Sequence, residues 1–366
     1  MAPASHSIRT SRPSAVTIPE LPARPPALSR RAQGVIFAFG LVAFVSLIAR
    51  AGVRETAANV YQARWVLGPI VLVWGGVYAC NTVAWRLLLG ALSVNHGDGR
   101  AAGVRAPTIP FVRAYAITVA SFAINYITPF VNLGGEPFRI AAAAPYVGTS
   151  RAAASVVCFR LVHTMAQLTF WITALPLAYL ALPHSPELVA GLAGIAVVFG
   201  GVLLVLFGLA RQKTAQRTLR LMGRLPLIRR VAARLERNRP VLENIDAQLA
   251  ALWGPERGRF VGAMVAEYIG RALAVVEYCF ITRAIGLDVS YLTAFVIGAL
   301  SQFFLNMLFF IPFDVGTKEG GMYLIFRLLR LPARLGIYAA IVMRLRELVW
   351  IAIGLAFVWL SRDRAD

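Results

Sequence analysis

Six apolar stretches, at 34–50, 65–92, 152–182, 188–210, 260–285 and 335–360, recur along the chain. Each is close to the ~20 residues that a helix needs to cross a bilayer. That recurrence leaves few folds open. A bilayer core offers no water to backbone N–H and C=O groups, so a chain threading it repeatedly is either helical or a closed barrel. Barrel strands alternate apolar and polar residues, whereas these runs are continuous. The expected class is an all-α polytopic membrane protein. Composition agrees, with 58% of residues hydrophobic and 15% charged, against roughly a quarter charged in soluble domains.

The formal charge of +20 raises a nucleic-acid hypothesis, but most basic residues flank the apolar runs, where topology and lipid phosphate explain them. No nucleic-acid partner is expected. Only Lys213 and Lys318 are lysines, so 35 of the 37 basic residues are arginines, a bias that weakens any argument from arginine alone. Cys80, Cys158 and Cys279 are far apart, and His6, His96, His163 and His184 fall one to a segment. Neither set has the spacing of a metal site, and no cofactor or metal is expected.

Residues 1–33 form a basic tail; up to residue 31 it holds six prolines and five arginines against one acid, a composition of disorder. Ala49-Arg50-Ala51 has the small-x-small form of a signal cleavage site, but a 33-residue leader and an arginine within that motif favour a retained first helix. Arginines before the first span, after the second and throughout the loop 211–259, with twelve basic and four acidic residues, mark the cytoplasmic side. The connections 183–187 and 286–290 carry no Lys or Arg, as the opposite side requires. Both termini are then cytoplasmic, with 361–366 a short tail. Arg50, Arg54, Arg64, Arg327, Arg330 and Arg334 run against this topology. Arginines between Leu and Ile at near-helical spacing suggest that 211–239 lies on the anionic leaflet or docks a partner.

Two apolar segments are broken. The helical pattern from Phe111 stops at Thr128-Pro129 and continues through Gly134-Gly135-Glu136-Pro137-Phe138-Arg139; that from Tyr291 stops at Pro312 and continues through Gly316-Thr317-Lys318-Glu319-Gly320-Gly321. Carboxylates in such a break are tolerated only inside protein or beside a wet cavity. Both segments, 111–146 and 291–331, are therefore expected to be re-entrant hairpins. Each proline is followed by Phe and, seven residues on, by Glu136 or Glu319; each has an upstream asparagine, Asn125 or Asn306; and each precedes an intramembrane arginine, Arg160 or Arg344. The offset near 183 is half the chain. Repeats 34–182 and 188–360 with three spans each must be inverted, an arrangement that places substrate where the broken helices meet.

Glu136 before Pro137 is expected at the start of the returning helix, with Pro137 at the first helical position. There it either caps free N–H groups or joins a wet site with Arg139. Gly134 and Gly135 permit φ > 0 and close backbone approach, so the turn can also offer N–H groups to a phosphate. Arg160, and Arg344 or Arg346, need partners: a hairpin glutamate, a lipid phosphate, or both. Glu267 and Arg271 are an i, i+4 pair, Glu277 is a candidate supporting or proton-carrying carboxylate, and His163 reads as a core residue.

Asn125-x-x-Thr128-Pro129-x4-Gly134-Gly135-Glu136-Pro137-x-Arg139, then Arg160, then Pro312-x3-Gly316-x2-Glu319-Gly320-Gly321, resembles the lysylphosphatidylglycerol synthase transmembrane-region family of flippase-like proteins. The resemblance runs from about 34 to 360. It implies an inner (plasma) membrane protein that handles anionic or isoprenoid-linked lipids. Only 361–366 follow the last span, so the soluble aminoacyl-transferase domain of some members, and lysyl transfer, are not expected. Phe159 and His163 stand where the family often has acids, and the second motif has fewer glycines. The expected function is a lipid flippase holding a headgroup phosphate on Arg139, Arg160 and Arg344, with Glu136 and Glu319 orienting them or carrying protons. No GxxxxGK[ST] motif supplies ATP. The alternatives are an intramembrane lipid-modifying enzyme, and a non-transporting scaffold that partners one.

Overall fold

The structure is a computed structural model describing residues 58, 61, 64–90, 109–127, 134–182, 186–211, 252–254, 256–308 and 316–362. The predicted tail, the first span 34–50, Pro129, Pro312 and most of the loop 211–259 lie outside these residues. The described residues form nine helices and no strand: α1 (Arg64–Gly90), α2 (Phe111–Ile127), α3 (Gly135–Val147), α4 (Thr149–Ala181), α5 (Pro186–Arg211), α6 (Arg257–Ala284), α7 (Tyr291–Met307), α8 (Thr317–Leu328) and α9 (Ala333–Arg362).

Three of these, α1, α4 and the Val189–Gly208 part of α5, are long and apolar enough to cross a membrane. In α5 none of the apolar window is buried, and Val197 and Leu204 are about three-quarters exposed (75% and 74%). A face of that kind is stable only against lipid. Helices α6 and α9 have the length, 28 and 30 residues, but not the apolarity. Three charges in the middle of these helices point inward: Glu267, Glu277 and Arg346 are at most 2% exposed.

The buried charges occupy one level of the bundle. One apolar cluster gathers Val66, Ile70, Phe170, Val275 and Ile281; another gathers Trp85, Leu88, Val162, Met165 and Phe260. Along α1, α4 and α6 the polar residues Asn81, Gln167 and Arg271 fall between the two. Tyr78 to Thr82 sit near the middle of α1, which at 1.5 Å per residue is about 40 Å long.

Helices α2 and α3 pair antiparallel: Arg113 at the start of α2 lies over Tyr146 at the end of α3, and Gly135 at the start of α3 meets Ser121 and Asn125 late in α2. Their outer ends adjoin the C-terminus of α1, where Arg86 donates to Ile109 O and Arg151 to Leu89 O. Helices α7 and α8 pair the same way at the other end of the bundle, where Leu329 packs with Leu182 at the close of α4. Each pair also packs on the long helix of the opposite half, α2 on α9 and α7 on α4.

Candidate functional site: a charged cavity between the two helical pairs

The start of α3 is fixed by an asparagine, not by its glutamate. Asn125 Oδ1 accepts the Gly135 N–H at 2.6 Å, satisfying one of the donors that every helix leaves free at its start. A Cβ on Gly135 would fall 2.1 Å from Ser121 O, so only glycine permits this approach. Gly134 has φ of −70°, so positive φ is not what requires glycine there, and close packing accounts for Gly135 alone. Two expectations are corrected: α3 begins at Gly135, which puts Pro137 third and not first in the helix, and the Gly135 N–H is already taken.

Released from capping, Glu136 reaches α4. Its Oε1 is 2.5 Å from Arg160, whose side chain keeps 43% exposure. Its Oε2 is buried without a partner among the described residues. One turn on, Arg139 is only 9% exposed and makes no hydrogen bond or ion pair among the described residues. Its guanidinium lies over Phe159 and Trp85, 4.8 and 5.0 Å from the ring centres. Cation–π contacts of this kind stabilise a desolvated guanidinium by about 2 kcal/mol but leave its charge unneutralised.

Behind this pair, α4 and α6 share a network of charged and polar groups. Arg271 donates to Glu267 Oε2 at 2.8 Å, to Gln167 Oε1 at 3.1 Å and to His163 O at 2.8 Å. His163 Nδ1 lies 2.7 Å from the same Glu267 oxygen. A carboxylate can only accept, so the imidazole proton is on Nδ1.

The start of α8 is built differently. Gly316, at φ +79°, adopts the left-handed conformation that glycine tolerates, and Glu319 Oε2 accepts its N–H at 2.9 Å. Glu319 is also held by Arg344 through Nε and Nη2 and is fully buried. Lys318 donates to Glu347 Oε1 at 2.5 Å, and Tyr126 to its Oε2 at 2.6 Å. Arg346 grips Glu277 with two bonds of 3.1 Å, while Trp74 Nε1 donates to Glu277 at 2.8 Å. With both oxygens engaged, neither Glu277 nor Glu319 has the freedom expected of a proton carrier. Arg344, expected to hold a ligand, is committed to Glu319 outside the cavity wall.

Between the two helical pairs lies a cavity of about 380 Å³. Of the sequence-predicted site residues it brings together Asn125, Gly135, Glu136, Arg139, Arg160 and Asn306. Gly134 and Gly316 flank it as the residues preceding α3 and α8. Sequence reasoning missed Trp74, Asn81, Tyr126, Gln302 and Glu347 in its wall. Among the described residues the charges around α8 and α9 balance: Lys318, Arg344 and Arg346 against Glu277, Glu319 and Glu347. Those around α3 and α4 do not: among the described residues Arg139, Arg160 and Arg271 face two carboxylates, Glu136 and Glu267. The excess cation is Arg139.

Among the described residues no cluster of His, Cys, Asp or Glu is placed to hold a metal ion, and the three cysteines are free. An all-helical bundle, apolar at both ends and charged at mid-height, defines a membrane-embedded protein with an internal polar site. The chain belongs to the family described as the lysylphosphatidylglycerol synthase TM region, which matches residues 32–354. That membership connects it with lipid-related processes in a membrane. No curated protein and no solved structure matches the chain.

Proposed function

We propose that the protein is a lipid translocase, which takes the headgroup of an anionic phospholipid or polyprenyl-linked lipid into the cavity and releases it to the other leaflet. The observation that carries this reading is Arg139: a buried guanidinium, open to the cavity, with no carboxylate of its own. An uncompensated charge at mid-bilayer costs at least ~2.5 kcal/mol, and a phosphate oxygen placed against its fork offsets that cost. One excess cation suits a headgroup bearing a single negative charge, such as a phosphodiester, better than a pyrophosphate. Arg160, partly exposed and anchored by Glu136, is the second contact.

The architecture in this reading is six spans and two re-entrant hairpins, α2–α3 and α7–α8, in an inverted repeat with both termini in the cytoplasm of the inner (plasma) membrane. The pattern of packing supports it. Matching α1, α2, α3 and α4 to α6, α7, α8 and α9 carries every packed pair among these eight helices onto a packed pair: α2 on α9 becomes α7 on α4, and α3 on α4 becomes α8 on α9. Glu136–Arg160 and Glu319–Arg344 correspond under the same matching. Opposed hairpins meeting at a midplane site are the arrangement through which inverted-repeat transporters alternate access.

The test is movement of fluorescent phosphatidylglycerol across vesicles containing the purified protein, read by quenching from outside. Wild-type protein should make the inner-leaflet probe accessible, and Arg139→Met and Glu136→Gln should each lower the rate at least tenfold. Equal rates in vesicles with and without the wild-type protein would overturn the proposal.

A further inference from the structure

We infer that His163 is a proton-binding site linked to the anion site, so that one lipid phosphate and one proton enter the cavity together. The inference rests on the translocase reading above and adds its energetic coupling.

Among the described residues His163 is the one histidine in the cavity wall, with 35% of its side chain exposed. Its Nδ1–H is committed to Glu267. Its Nε2 has no partner among the described residues and is therefore left as an acceptor. An imidazole bonded at one nitrogen and open at the other is the arrangement that takes up and returns a proton near neutral pH. Glu267 is fully buried, and its Oε1 has no partner among the described residues, so the carboxylate can serve as counter-ion to a protonated imidazole.

The surrounding charges make that uptake conditional. Facing His163 are Glu136 and Arg139 from α3, Arg160 on its own helix, and Glu267 and Arg271 from α6; α1 lines the cavity with Trp74, Val77, Tyr78 and Asn81, none of them charged, and neither α7 nor α5 between Leu188 and Ala210 contains a charged residue. Without ligand the set already holds one excess positive charge. A proton on His163 would add a second in the low-dielectric layer, which is costly. A phosphate on Arg139 cancels the first, and the proton then meets an anion in place of a cation. Unit charges about 10 Å apart at an effective dielectric near 20 interact enough for a change of roughly tenfold in affinity. The second half has no counterpart. Glu347 follows Arg344 by three residues, as His163 follows Arg160, yet both of its oxygens are engaged, by Lys318 and Tyr126.

The experiment adds short-chain phosphatidylglycerol to the full-length protein in detergent, in weak buffer containing a pH indicator, and repeats the binding titration at pH 6 and pH 8. Wild-type protein should take up protons on binding and hold the lipid roughly tenfold more tightly at pH 6. His163→Gln should bind with neither proton uptake nor pH dependence. Lipid binding by the wild type without proton uptake, or the same pH dependence in the variant, would overturn this inference and leave the translocase reading standing. No wild-type binding at either pH would overturn both. The indicator measurement on wild type stands without the variant.

Discussion

Arg139 and Arg346 are both nine-tenths buried or more, and they should respond in opposite ways to removal of their charge. Arg346 is 2% exposed, bonded twice to Glu277 at 3.1 Å, 3.8 Å from Glu347 and over the Trp74 ring at 3.7 Å. Replacing it by methionine keeps much of the volume but leaves Glu277 with the Trp74 N–H alone. Breaking a buried pair from one side costs ~3–5 kcal/mol. Because Lys318 still holds Glu347, the lower end, about 3 kcal/mol, is expected. At ~2.1 cal/mol/K of unfolding entropy per residue this lowers the melting temperature by roughly 4 °C. Adding Glu277→Leu removes the stranded carboxylate and should recover most of the loss, to within about 1 kcal/mol, since apolar replacement of a whole buried pair is often neutral. Arg139→Met removes a cation with no partner to strand and should melt within about 1 °C of wild type, because lost cation–π contact and relieved desolvation offset each other. The assay is thermal unfolding in detergent, followed by tryptophan fluorescence. Arg346→Met melting with the wild type, or the double variant melting no higher than the single, would refute this account of the network.

Gly135→Ala should disrupt the α2–α3 contact by forcing a Cβ to within 2.1 Å of Ser121 O; a loss of about 1–3 kcal/mol is expected in the same melting assay, and alanine tolerated without change would contradict the close approach. Asn125→Leu leaves the Gly135 N–H unpaired and should cost ~1–3 kcal/mol, whereas Asn125→Asp, which keeps the acceptor, should melt closer to wild type. Glu136→Gln should melt within ~1 kcal/mol of wild type, because the partly exposed pair it weakens adds little stability, yet lose lipid movement; intact movement would remove Glu136 from the site.

Much of the scaffold was visible in the sequence because a break in an apolar helix shows as Pro and Gly, and an intramembrane charge shows against its neighbours. Those two signals located the breaks after Ile127 and before Thr317, and the arginines Arg160 and Arg344. What spacing does not encode is which charge on one helix meets which on another. Glu347 is not singled out by its place in Arg344-Leu345-Arg346-Glu347, because its bonds go to Lys318, 29 residues away, and to Tyr126, 221 away. Glu277 looked free for the same reason, its partners Arg346 and Trp74 lying 69 and 203 residues away. His163 looked like a core residue because nothing local reveals that its helix face opens on a cavity. Capping α3 is one of the two roles that sequence leaves open to Glu136, and Asn125, ten residues upstream, takes it by packing.

The central claim, that an anionic headgroup occupies the cavity on Arg139, is tested most directly by native mass spectrometry with lipid identification on gently purified protein, comparing wild type with Arg139→Met. The account predicts one class of lipid with a single negative charge on the wild type, reduced at least tenfold in a variant that remains folded. The same mixture of bulk lipids on both proteins would contradict it.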